Sequence, residues 1–118
     1  MSIDSQTTVA NRHDYDTTYT NEWDQDQTAL TILTPTSGYC LKVAGVHVSG
    51  EATSGQIRVY FPTSGNSLLV AFGGASGVLQ ADDTMVMKGT TDEPIKITST
   101  FGADKNFFIS IDYKEELL

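Results

Sequence analysis

One cysteine, one tryptophan and three prolines are all that this 118-residue chain holds of those types. With Cys40 alone, no disulfide can close within the chain, so packing and hydrogen bonding must hold the fold. Cys40 lies in an apolar run, where a thiol behaves as a small buried hydrophobe rather than a nucleophile. That usage fits synthesis in a reducing cytoplasm. Long hydrophobic runs are missing too. None approaches a membrane span, and the opening MSIDSQTTVANRHDYD is polar with no secretory core, so no membrane is expected.

Bases are scarce beside acids: 7 against 15, a formal charge of -8 and a pI near 4.4. Arg12, Lys42, Arg58, Lys88, Lys96, Lys105 and Lys114 are spread singly along the chain, so no basic stripe offsets the acidity. Nucleic acid is therefore not an expected partner. The plain reading of the acidity is solubility and mutual repulsion. The sharper one is a high-salt habitat or a cationic partner surface.

Groups that do chemistry are equally thin. The two histidines, His13 and His47, fall in a polar arm and in a strand, so no paired imidazole site arises on one element. His47 alternates with Val46 and Val48 and is expected to face outward. No G-x-S-x-G, phosphate-loop or dinucleotide fingerprint is present. The GGASG stretch (73–77) has neither the lysine nor the following helix of a phosphate cradle. The acids of NEWDQD (21–26) and the Asp82-Asp83 pair invite a calcium reading, but DQDQTALTILTP lacks the Gly and Glu of a calcium loop. Solvated loop acids are the simpler account. Carboxylate pairs for a glycosidase can be drawn from Glu22, Asp24 or Asp83, as from any acidic chain. No catalytic, cofactor-binding or metal-ligating residue is expected, no cofactor is implied, and the chain reads as non-enzymatic.

What the chain does have is a series of short Thr- and Val-rich runs punctuated by Gly, Pro, Ser and Asp. Residues 1–16 offer little to bury and read as a flexible or partner-ordered arm. Strands are predicted at 17–23, 28–34, 39–49, 56–61, 67–72, 84–90, 94–101 and 106–114. Gly45 marks a bulge within the third, and Gly65-Asn66 a hairpin tip. Alternation turns Ile57, Val59, Ile95, Ile97, Ile109 and Ile111 inward, and Arg58 and Lys96 outward. The domain spans 17–114, and 115–118 forms a tail that reads as a helical stub, an arm or disorder. About eight strands at this spacing predict an all-β, antiparallel two-sheet sandwich, a jelly roll first and an immunoglobulin-like order second.

Trp23, flanked by Glu22 and Asp24 with Tyr15 and Tyr19 nearby, is the candidate aromatic patch. Such residues stack on sugar faces, plug the end of a sandwich or anchor a contact between subunits, and the anchor is the preferred reading.

The stretches LTILTPTSGYCLKVAGVHVS (30–49), GQIRVYFPTSG (55–65) and DEPIKITST (92–100) resemble small β-sandwich virion proteins of tailed viruses, of the head-decoration, head-fibre and tail-module type. The resemblance runs over about residues 28–113 and rests on turns and apolar spacing. It implies a non-catalytic structural protein, often trimeric, made in the host cytoplasm and docked in the virion on the major capsid protein or another virion protein. A carbohydrate- or receptor-binding module of a tail or fibre is the alternative.

Overall fold

The computed structural model describes residues 17–74, 77, 79–83 and 86–117. The expected arm, with His13 and Tyr15, lies outside them. Nine strands follow in order: β1 (Thr17–Trp23), β2 (Leu30–Leu33), β3 (Tyr39–Gly50), β4 (Gln56–Tyr60), β5 (Ser67–Phe72), β6 (Leu79–Asp83), β7 (Met87–Lys88), β8 (Ile95–Ser99) and β9 (Phe107–Leu117). One sheet has the order β1-β9-β3-β6, with β7 also on β3, and the other has the order β2-β8-β4-β5.

β6 and β7 lie on the same strand in succession, β6 against Val46–Gly50 and β7 against Lys42–Val43. Taken as one interrupted strand, they leave eight that pair in nested fashion. β4 joins β5, β3 joins β6 and β7, β2 joins β8, and β1 joins β9, all antiparallel. A long hairpin rolled over on itself has this order, which is the jelly roll. The immunoglobulin order groups the first, second, fifth and fourth strands in one sheet and does not fit.

Alternation within each strand builds the core. Leu41, Val43, Val46 and Val48 of β3 and Ile109 and Ile111 of β9 meet Ile57, Val59, Ile95 and Ile97 of the opposite sheet, all buried. Each such side chain contributes about 1.5–3 kcal/mol relative to exposure. The inward set of β3 changes parity between Val43 and Val46. A register shift between Val43 and Gly45 absorbs the change, the bulge that Gly45 announces. At one end Phe101, Phe107 and Trp23 close the sandwich, the first two 5.4 Å apart edge to face. At the other end Phe61 lies so close to Gly89 that a Cβ there would sit 2.6 Å from the ring.

Three departures from the sequence reading stand out. β6 was not foreseen, because LQADD has only Leu79 and Ala81 as apolar residues and owes its strand form to pairing with β3. The predicted strand at 84–90 is represented among the described residues by the two-residue β7. The segment set apart as a tail, 115–118, is strand as far as Leu117, because Tyr39, Cys40 and Leu41 pair with Leu117, Glu116 and Glu115.

Candidate functional surfaces

Tyr19 and Trp23 stand two pleats apart on one face of β1, and both pack against the core from its margin. Trp23 lies 5.5 Å from Phe107, the rings tilted by 31°. Asn21 donates from Nδ2 to the Tyr19 hydroxyl at 3.2 Å. The structure therefore brings these two together as a closing lip of the sandwich, while Tyr15 lies outside the described residues. Beside Trp23 is an open hollow of about 400 Å³ lined with Glu22, Asp24 and Asn106. The acids of this end are structural ties as well: Asp26 accepts the backbone N–H groups of Phe101 at 2.6 Å and Gly102 at 3.0 Å.

A second hollow, of about 270 Å³, opens on the outer face of the five-stranded sheet, lined by Gly45, Val46, His47, Asp82, Asp83, Ser110 and Asp112. His47 is half-buried and outward, as its alternation with the valines predicts. Its cross-strand neighbours are Asp82 on β6 and Ser110 on β9, and its Nδ1 is hydrogen bonded to the Asp82 carboxylate. Phe108 meets the imidazole edge-on at 6.4 Å. Asp112 accepts from the Thr18 hydroxyl at 2.8 Å, tying β9 to β1. Among the described residues no group of three or more His, Cys, Asp or Glu side chains is placed to hold a metal ion.

Farther along the same face, three lysines that are scattered in sequence stand in one row. Lys42 on β3 is in register with Lys114 on β9 and with Lys88 on β7. Glu116 reaches all three, at 3.8 Å, 3.7 Å and 3.1 Å respectively. The hydrogen bond from Lys88 and the nearby positive charges hold the Glu116 carboxyl below its ordinary value, and the same bond raises Lys88. Like charges directly opposite across strands repel, so this row depends on its carboxylate. No sequence motif marks it, because the residues meet only through strand pairing.

Glu93 is the one buried carboxylate among the described residues, 2% exposed. Burial alone pushes its pKa up, but the N–H groups of Thr90 at 2.9 Å and Ser64 at 2.6 Å, with their hydroxyls, outweigh that and leave it lowered. It pins the β4–β5 turn to the segment before β8. Sequence reasoning missed it, since an acid before a proline reads as an ordinary loop residue.

The outer face of the other sheet differs. Arg58 donates from Nε to Ser67 Oγ at 2.7 Å and from Nη2 to the Gly65 carbonyl at 3.0 Å, with its guanidinium 4.3 Å from the Tyr60 ring centre. Next to it, β5 ends the sheet and shows Val70 and Phe72 to solvent, 44% and 66% exposed. SLLVAF is a continuous apolar run after Ser67, so no alternation in the sequence singles out either residue.

No protein-family model matches this chain, and a comparison with curated proteins finds no match. Among solved structures, the chain is similar to the cryo-EM structure of the giant freshwater prawn Macrobrachium rosenbergii extra small virus (XSV) VLP. Identity is 14%, coverage is 85% of this chain and 80% of that one, and the TM-score is 0.37.

Proposed function

We propose that this chain is a non-catalytic structural protein of a virion, docked on the capsid or tail of a tailed virus as a decoration or fibre-type protein. The observation that carries the reading is the nested eight-strand jelly roll, an architecture that capsid and lectin domains use. The strand motifs that resemble tailed-virus accessory proteins lie within it, on β2 to β4 and on β8. The polar clusters on its faces serve the fold: Glu116 ties three strands, Glu93 pins two loops, and Asp26 closes one end. In this reading the protein is made in the host cytoplasm, self-associates, and joins the major capsid protein or another virion protein. The test is mass spectrometry and immunogold labelling of purified particles from a culture that produces the chain. Stoichiometric presence on the particle surface is expected, and absence from the particles overturns the reading.

A second reading has its own observation. The acid-flanked hollow beside Trp23 has the composition of a sugar-binding lip, so a receptor- or carbohydrate-binding module of a tail or fibre is the alternative. A glycan array separates the two: saturable binding that Trp23→Ala removes, without loss of the folded state, favours the module.

A further inference from the structure

We propose that β5 is the strand through which two copies of this chain pair, edge to edge, about a two-fold axis. The starting point is backbone chemistry. β5 is the last strand of its sheet, and among the described residues no strand pairs with it on the outer side. A strand edge presents N–H and C=O groups that are best satisfied by another strand, and natural edges are usually guarded by charge, proline or brevity. Ser67–Phe72 has no charged residue and no proline in six positions. Instead it carries two of the four large apolar side chains exposed among the described residues, Val70 and Phe72.

Comparison of the four sheet edges favours a second copy as occupant. In a chain of charge -8, self-pairing is penalised wherever it sets like charges opposite one another. β1 carries Glu22, and β6 carries Asp82 and Asp83, so both of these edges hold carboxylates. β2 has four residues and a register shift between Thr31 and Leu33. β5 has its own register shift near Leu68, at the start of the strand, and beyond it presents Val70 and Phe72 outward with no charged residue to oppose a second copy.

Strand parity then restricts the register. Leu69 and Ala71 face the core, and Val70 and Phe72 face out. Antiparallel self-pairing keeps both faces consistent only when the axis passes through a residue, Val70 or Ala71, and not between two. Val70 of one copy then lies against Val70 or Phe72 of the other. The four-stranded sheets merge into one of twice the width, and the contact closes on itself as a dimer that cannot grow into a fibre. This geometry points to a two-fold pair rather than the trimer that the resemblance implies.

The contact is apolar, whereas the two copies repel as wholes, so added salt strengthens it by screening. Docking of the Lys42, Lys88 and Lys114 row on an acidic surface would weaken with salt. The inference does not rest on the virion reading, since it concerns the purified chain. A failure here leaves particle attachment to its own test.

Sedimentation velocity on the full chain, over a range of concentration and salt, tests the proposal. A monomer–dimer equilibrium that tightens with salt is expected. Val70→Lys and Val70→Glu should each weaken it about tenfold or more, the equivalent of about 1.4 kcal/mol, with circular dichroism unchanged and thermal unfolding unchanged at concentrations where the chain is monomeric. Mixing Val70→Lys with Val70→Glu, or with Phe72→Glu, should restore a heterodimer, and the mixture that does so reads the register. If Val70→Lys fails to fold, the Phe72→Lys and Phe72→Glu pair makes the same measurement. A monomer at every concentration overturns the proposal. So does association that Val70→Lys leaves intact, association that salt weakens, or mixtures that restore nothing.

Discussion

On the outer face of the five-stranded sheet, side chains from neighbouring strands are tied to one another, whereas Val70 and Phe72 on β5 of the other sheet are exposed to solvent. Thr18 is bound to Asp112, His47 to Asp82, and Glu116 to Lys42, Lys88 and Lys114. Val70 and Phe72 are 44% and 66% exposed among the described residues. The difference matches what each surface must do. Ties between strands hold the edge pieces β1, β6 and β7, which have few inward apolar residues. β5 is held by the buried Leu68, Leu69 and Ala71 and by its hairpin with β4.

The inner faces should not show this contrast, and that is the largest effect to measure. Ile109 of one sheet and Ile97 of the other are both fully buried, and each change to alanine should cost about 2–5 kcal/mol in chemical denaturation. A loss in one sheet only would mean that the two do not share a single core.

Glu93→Ala should rank next, at about 1–3 kcal/mol for each backbone donor left without a partner at Ser64 and Thr90. Its carboxyl is lowered in the folded state from the ordinary 4.5. The stabilisation from it is therefore full above about pH 4.5 and is lost as pH falls through the lower folded value. Thermal unfolding followed downward from pH 6 should show this loss, and Glu93→Gln should flatten it.

Arg58→Ala is expected to cost about 1 kcal/mol, more than a freely exposed arginine, because it bonds Ser67 and Gly65 across the β4–β5 hairpin. Alternation alone puts Arg58 on a tolerant outer position, and these bonds correct that expectation. Lys96→Ala is a suitable control, with an effect within about 0.5 kcal/mol.

The smallest effects should distinguish the two outer faces. Glu116→Gln should lower the melting temperature slightly at low salt and less at high salt, as expected of exposed ion pairs. Val70→Thr should leave the melting temperature of the monomer unchanged at any salt. Equal salt dependence in both variants would erase the distinction between a tied face and a free one.

Much of the fold was legible in the chain. The period-two alternation of QIRVY, IKITS and FFISI, with turns of Gly, Pro and Ser between them, places the inward isoleucines and the bulge at Gly45 without reference to any partner strand. Inward and outward are properties of one strand, so local pattern suffices. Of the candidate aromatics Tyr15, Tyr19 and Trp23, the last two lie on one face of β1 and pack on the core, and the choice between a plug and an intersubunit anchor was not legible. Whether an aromatic at a strand end lies on the core or projects from it depends on the strand beside it, here Phe107 on β9.

The rest was decided by pairing between distant segments. β6 has no strand signature of its own and is a strand because β3 offers it a ladder. Residues 115–117 extend β9 because Tyr39–Leu41 lie alongside. The lysines read as isolated charges, yet Lys42, Lys88 and Lys114 form one row around Glu116, although the first and the last are 72 positions apart in the chain (114 − 42). Composition and alternation determine that this chain is a β-sandwich and which residues fill it. Which strands become neighbours, and hence which charges meet and which edge stays open, is set only when nested antiparallel pairing brings residues together over long sequence separations.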